Sequence, residues 1–349
     1  MTVLVCGGMG YIGSHTCVEL LNLGMEVVIV DNLANSNPEV LNRVETITGK
    51  RPLFYQLDVC DEEALSKVFD AHAIDCVIHF AGLKIVGESI ERPLEYYNNN
   101  MTGTFVLVEQ LRKHNCKNII FSSSASVYGN DPEVIPTTEK CIKGECTNPY
   151  GRTKSMLEDV LMDVQKADND WNVVLLRYFN PIGAHPSGEI GENPNGIPTN
   201  LMPYITQVAV RKREYLGVFG SDYNTPDGTG IRDFIHVVDL ARGHVAALSA
   251  IERKCGLGIY NLGTGRGYSV LEVVKTFEKV NGVSVPYQMM PRRAGDIVVS
   301  YSNPQKAKNE LGWSAEYGLE EMCRDAWNWQ KKNLNLQTEK HSGRMKRLP

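Results

Sequence analysis

Tyr150 and Lys154 stand four residues apart, a spacing that puts both side chains on one face of a helix. A free phenol titrates near ~10, too high for a base working around neutrality. An ammonium beside it favours the phenolate and brings that value down, so the pair can take a proton from a hydroxyl. Fifteen tyrosines and nineteen lysines in 349 residues give about 0.8 such pairs by chance, so the spacing alone says little. Its position says more. Tyr150 follows the run Phe121-Ser122-Ser123-Ser124 by 26 residues, and the Ser124 hydroxyl could share the proton path or hold a substrate hydroxyl. Ser124, Tyr150 and Lys154 form the expected catalytic set.

A second chemical signal opens the chain. Val3-Leu4-Val5-Cys6 leads into Gly7, Gly8, Gly10 and Gly13, with Tyr11 and Ile12 between the last two glycines. A pyrophosphate suits this pattern: missing Cβ atoms let the backbone approach it, and a following helix N-terminus offers free N–H groups and a favourable dipole. Glycine-rich turns are common, so context must supply specificity. Asp31 ends the next apolar run, 18 residues beyond Gly13, near the offset at which a carboxylate accepts hydrogen bonds from the adenosine ribose. A 2′-phosphate would be repelled there, so the expected cofactor is NAD rather than NADP. Its positive nicotinamide ring would add to the pull of Lys154 on Tyr150.

Positioning these groups needs strands and helices in alternation. Val3-Leu4-Val5, Val27-Val28-Ile29-Val30, Cys76-Val77-Ile78-His79-Phe80, Asn118-Ile119-Ile120-Phe121 and Val173-Val174-Leu175-Leu176 are continuous apolar runs, which implies burial on both faces of a parallel sheet. Helical spacing over Pro93 to Lys113 and Asn148 to Asp168 supplies crossovers. The expected fold class is α/β: a Rossmann-type doubly wound parallel sheet with a smaller C-terminal α/β substrate-binding domain. Pro181 to Pro203 holds five prolines and four glycines, too many breakers for regular structure, and marks a domain crossing. The NAD-binding domain is expected over 1–180 with returns near 231–265, and the substrate-binding domain over 181–335. Residues 338–349 read as a frayed tail or a remnant of expression.

Length and composition agree with two ordinary folded domains. A formal net charge of -5 supplies no field for nucleic acid or an anionic membrane. The glycine-broken start lacks a basic leader, so no signal peptide or membrane span is expected. Nine cysteines without a C-x-x-C spacing fit a reduced cytoplasm.

The chain resembles the UDP-sugar epimerases of the extended short-chain dehydrogenase/reductase family. The resemblance covers about residues 1 to 330 and rests on Gly7-Gly8-Met9-Gly10-Tyr11-Ile12-Gly13-Ser14-His15-Thr16, Asp31-Asn32-Leu33-Ala34-Asn35-Ser36, His79-Phe80-Ala81-Gly82-Leu83-Lys84, Arg177-Tyr178-Phe179-Asn180-Pro181 and Asp227-Gly228-Thr229-Gly230-Ile231-Arg232-Asp233. Cys6 departs from the family, which usually has Thr there. The resemblance implies that Tyr11, Ile12, Asp31, Asn32, Leu33, Ala34, Asn35, Ser36, Asp58, Val59, Phe80, Ala81, Gly82, Leu83, Lys84, Asn99 and Phe179 line the NAD site, with Lys154 on the nicotinamide ribose. It assigns Lys84, Ser126, Asn180, Asn200, Leu201, Gly217, Val218, Phe219, Arg232, Arg293 and Asp296 to the UDP-sugar. It also implies interconversion of UDP-glucose and UDP-galactose, and a homodimer formed through paired helices over 93–113 and 148–165.

A 4,6-dehydratase on the same scaffold carries Asp-Glu before Val-Tyr-Gly. Here Ala125-Ser126 precedes Val127-Tyr128-Gly129, so the second acid/base pair is missing. A silent NAD sensor would need no base, and the eight histidines show no metal-ligand spacing. Four residues after Asp296 the family has either a bulky tyrosine or a small residue. Ser300 stands there, which leaves room for the acetamido group of UDP-GlcNAc and UDP-GalNAc unless a shift in register brings Tyr301 into its place.

Overall fold

The computed structural model describes residues 1–129, 135–293 and 296–345, with side chains to residue 334. The chain opens with β1 (Thr2–Cys6), α1 (Tyr11–Asn22), β2 (Glu26–Asp31), α2 (Glu39–Thr48), β3 (Leu53–Gln56), α3 (Glu62–Ala71) and β4 (Cys76–His79). Next come α4 (Val86–Glu91), α5 (Pro93–Lys113), β5 (Asn118–Ser124), α6 (Pro149–Ala167) and β6 (Asn172–Tyr178). The remainder supplies β7 (Asn180–Ile182), α7 (Leu201–Ala209), β8 (Leu216–Phe219), β9 (Ile231–His236), α8 (Val237–Glu252) and β10 (Leu257–Leu262). It ends with β11 (Gly267–Ser269), α9 (Val270–Asn281), β12 (Tyr287–Met290), β13 (Val299–Ser300), α10 (Gln305–Leu311) and α11 (Leu319–Met345).

Seven strands form one parallel sheet in the order β10-β6-β5-β4-β1-β2-β3. The inner strands β1, β4, β5 and β6 are buried nearly throughout, as continuous apolar runs require when helices cover both faces. One core, with Leu20, Val44, Leu240 and Leu248, joins α1, α2 and α8 to the sheet. The other, with Leu65, Leu107, Leu111, Leu157 and Leu161, joins α3, α5 and α6 to its opposite face. Strand order reverses between β1 and β4, so the crevice at their C-terminal ends is the place where this architecture takes a ligand.

Of the segment expected to return to this sheet, β10 completes its edge beside β6, while β9 lies in a second sheet between β11 and β13 and also pairs with β7. A two-stranded β8–β12 sheet stands beside it. Their apolar sides share a third core with α7, α9 and α11, including Ile205, Val218, Phe234, Phe277 and Met322. α11 continues as far as Met345, into the segment expected to fray; 346–349 lie outside the described residues.

Candidate active site

The glycine loop joins β1 to α1, and its backbone leaves no room for side chains. A Cβ on Gly7 would lie 2.8 Å from the Ala81 nitrogen, and one on Gly13 would lie 2.3 Å from the Gly7 oxygen. Gly7 also takes φ +81°, a region closed to most residues. Gly10 caps α1 without a side-chain hydrogen bond, and the first turn has no acid. The N–H groups of Tyr11, Ile12 and Gly13 are therefore free donors at the positive end of a helix. This is a cradle that fits a dinucleotide pyrophosphate.

Asp31, at the end of β2, is buried; its Oδ2 accepts from the Met9 N–H at 3.0 Å, and its Oδ1 from the Leu33 N–H and the Ser36 hydroxyl, both at 2.9 Å. The carboxylate is thereby fixed beside the glycine loop with acceptor capacity to spare. Asn32 donates to Asp58 at 2.9 Å, and its own Oδ1 accepts from the Ala34 N–H at 3.0 Å. Asn35 is exposed. Val59 packs within the α3/α5 core. Phe80 and Ala81 both donate backbone N–H groups to the Cys6 oxygen, which ties the 80–84 loop to the glycine loop. Asn99 donates to the side chain of Asn100 at 3.0 Å. Asn100 escaped the sequence reading. It grips Leu83 through both backbone groups, accepting from its N–H at 2.7 Å and donating to its oxygen at 3.0 Å.

The residues expected to be catalytic come together where β5 ends and α6 begins. Asn148 caps α6 by accepting from the Gly151 N–H at 2.8 Å, and Pro149 follows where its missing N–H costs nothing. Tyr150 and Lys154 thus lie in the first two turns. Ser124 is the polar neighbour that favours the Tyr150 phenolate, and the Ser126 hydroxyl donates to the Ser124 oxygen at 2.9 Å, so three hydroxyl-bearing residues gather here. Phe179 packs beside them in an apolar cluster with Val127 and Tyr128. The buried Lys154 Nζ donates to the Ser122 carbonyl oxygen at 2.6 Å and sits 6.0 Å from the Tyr150 ring centroid.

One expectation changes here. Burial pushes the Tyr150 phenol above its ordinary value, and the group that opposes this is Ser124 rather than Lys154. Lys154 itself is pushed down to about 8 by burial, with the nearby Glu158 charge resisting. Helical spacing brought the two side chains together, but the ammonium turned to the Ser122 carbonyl, which spacing cannot reveal. Glu158, one turn further on α6, is buried in an ion pair with Arg177.

The residues expected to hold the nucleotide meet partly in one cluster. Arg293 stacks over Phe219, 4.7 Å from the ring centroid, and its Nε donates to Asp296 at 3.1 Å; Arg232 Nη2 lies 4.0 Å from the same carboxylate. Gly217 and Val218 lead to Phe219 along β8. Ser300 pairs with Arg232 in the β13–β9 register. Tyr301 belongs to the other face: its ring lies 3.3 Å from where a Gly267 Cβ would stand, and Gly267 pairs with Asp233. Asn180 is exposed at the start of β7, and Asn200 and Leu201 begin α7. Lys84 and Asn200 share a partner that sequence reasoning missed: Glu192 Oε1, 3.7 Å from the Lys84 Nζ and 2.5 Å from the Asn200 Nδ2.

Residues 3–263 match the NAD dependent epimerase/dehydratase family. The chain is 62% identical over 335 residues to the UDP-glucose 4-epimerase of Bacillus subtilis (strain 168), covering 96% of this chain and 98% of that one. Among solved structures, it resembles UDP-glucose 4-epimerase from Bifidobacterium longum in complex with NAD+ and UDP, with a TM-score of 0.93, 55% identity and coverage of 96% and 99% of the two chains. The enzyme from Stenotrophomonas maltophila with bound NAD and formylated UDP-arabinopyranose gives a TM-score of 0.94 at 48% identity, again covering 96% and 99%. With the glycine cradle, the fixed Asp31 and the half-buried Tyr150 and Ser124 on the expected scaffold, the chain belongs to the NAD dependent epimerase/dehydratase family.

Proposed function

We propose that this protein is a UDP-hexose 4-epimerase that interconverts UDP-glucose and UDP-galactose. The observation that carries this is one half-buried base, Tyr150, with Ser124 as its polar neighbour and Ser124 held in turn by the Ser126 hydroxyl at 2.9 Å. NAD, held by the glycine cradle and Asp31, would supply reversible hydride transfer at sugar C4, with no net redox change over the cycle. Tyr150 takes the proton of the 4-hydroxyl and later gives it back, with Ser124 holding the phenol and steering the proton. Lys154, anchored on Ser122, presents positive charge to the cofactor ribose. Gly7, Gly8, Gly10 and Gly13 with the first amides of α1 hold the pyrophosphate, and Asp31 takes the adenosine ribose. Arg232 and Arg293 bind the UDP diphosphate, as planar donors suit two oxygens at once.

Dehydration is the disfavoured alternative. It needs an acid/base pair to remove the C5 proton and expel the 6-hydroxyl, and Ala125-Ser126 put no carboxylate at that turn. Incubation with UDP-galactose and no added reductant should yield UDP-glucose; a 6-deoxy-4-keto sugar would instead make the protein a dehydratase. A wider substrate range is supported by Ser300 and by Tyr301 pointing to the opposite face, which together leave space for a 2-acetamido group. UDP-GlcNAc and UDP-GalNAc are then substrates as well.

Second-copy binding is also part of this reading. Leu94, Phe105 and Met156 are exposed apolar residues on α5 and α6, the helices expected to pair, and Val86 and Ile90 on α4 are exposed as well. A homodimer of twice 38.9 kDa follows, to be checked by light scattering. No helix among the described residues is long and apolar enough to cross a membrane, and all nine cysteines are free; we assign the protein to the cytoplasm.

A further inference from the structure

The proline- and glycine-rich segment between β7 and α7 places one acid, Glu192, where the two halves of the site meet. Its backbone is pinned from α11. A Cβ on the preceding Gly191 would lie 2.5 Å from the Trp329 ring, so no larger residue fits there. The Trp329 indole N–H donates to the Glu192 carbonyl oxygen at 3.1 Å, and an antiparallel bridge joins Gly191 to Ala184. The side chain is only 9% exposed.

Three neighbours face this carboxylate. Oε1 accepts from Asn200 Nδ2 at 2.5 Å and attracts Lys84 Nζ at 3.7 Å, and the Glu192 charge adds to burial in raising the Tyr11 phenol. Asn200 is the N-cap residue of α7, yet its side chain makes no capping bond. Asparagine at that position ordinarily turns back onto the helix; here it turns to Glu192 instead. Oε2 is buried without a hydrogen-bond partner among the described residues, a costly state for a carboxylate. A purely structural role accounts for neither the unmade helix cap nor the unpartnered Oε2.

We propose that Glu192 is a positioning residue for the sugar nucleotide, fixing the Asn200 amide and drawing in the Lys84 ammonium so that both meet the ligand in one orientation. Only the NH2 edge of an amide can face a carboxylate, so the contact sets the amide plane and the direction of its remaining N–H and Oδ1. Lys84 is a flexible cation, 45% exposed, that gains a preferred position from the fixed charge. The proposal rests on the UDP-sugar epimerase reading, and its test separates the two.

Glu192→Gln and Glu192→Ala, as NAD-loaded enzyme, are compared with the parent in UDP affinity by calorimetry, KM and kcat for UDP-galactose, and thermal midpoint. Glu192→Gln keeps an acceptor for Asn200 but loses the charge facing Lys84; it should raise the UDP Kd and the KM about threefold. Glu192→Ala should raise both about tenfold or more, with kcat within about twofold of the parent. Unchanged UDP affinity in both variants overturns the proposal, as does a loss confined to kcat or one that follows the thermal midpoint with no rescue by Gln. Parent protein that binds UDP but leaves UDP-galactose unchanged overturns the epimerase reading while the UDP titrations still decide the role of Glu192.

Discussion

Replacing Arg177 with Met should cost far more stability than an ordinary surface change. Arg177 lies on β6 and donates Nε to Glu158 Oε1 at 2.9 Å and Nη2 to Oε2 at 2.7 Å, while the Ser123 hydroxyl donates to Oε1 at 2.5 Å. The side chains are 4% and 0% exposed. Without the guanidinium, Glu158 remains buried with one neutral donor, an arrangement that costs about 3–5 kcal/mol. An unfolding entropy of ~2.1 cal/mol/K per residue gives ~0.7 kcal/mol/K for 349 residues, so the thermal midpoint should fall by ~5 °C. Arg177→Met with Glu158→Leu should regain most of this loss, since no unpaired charge is left. Urea titrations of the three proteins at equal NAD concentration measure both steps. A single variant within ~1 kcal/mol of the parent, or a double variant no more stable than the single, refutes the reasoning.

Gly13→Ala drives a Cβ into backbone on two sides, 2.3 Å from the Gly7 oxygen and 2.8 Å from the Gly8 Cα. A shift of about 1 Å in the cradle should weaken NAD binding about 100-fold, read by reconstituting stripped protein; unchanged affinity contradicts the cradle. Lys154 has a folded pKa of about 8 against an ordinary 10.5, so burying it charged opposes folding below pH 8 and the penalty fades as pH rises from about 8 to 10.5. In cofactor-free protein, the stability of Lys154→Met relative to the parent should therefore be greatest near pH 7 and decline across that window; a difference independent of pH refutes it. Ser300→Tyr should lower turnover of UDP-GalNAc by more than about tenfold relative to UDP-galactose, and equal losses on both substrates would remove Ser300 from the specificity argument.

The cofactor half of the site was legible because its chemistry is carried by the backbone and by local spacing. Glycines at Gly7, Gly8, Gly10 and Gly13 act through missing side chains, and Asp31 sits at the end of its own strand. β3 was missed: Leu53–Gln56 is a short edge strand with no fully buried residue, so it lacks the apolar run that marks inner strands. The nucleotide half depends on distant partners. Lys84 and Glu192 are 108 positions apart, and Glu192 lies among prolines and glycines where no periodicity points inward. Likewise, Tyr150 and Lys154 announce a shared helix face, but only the fold shows that the Ser122 carbonyl takes the ammonium.

The central claim is that Tyr150 is the one base of an epimerisation carried out with bound NAD. Tyr150→Phe removes the hydroxyl while leaving the ring in place, and should retain NAD and UDP while conversion of UDP-galactose to UDP-glucose falls by about 100-fold or more. The decisive measurement is therefore the initial rate of UDP-glucose formation by NAD-loaded Tyr150→Phe against the parent. Conversion at the parent's rate would contradict the account.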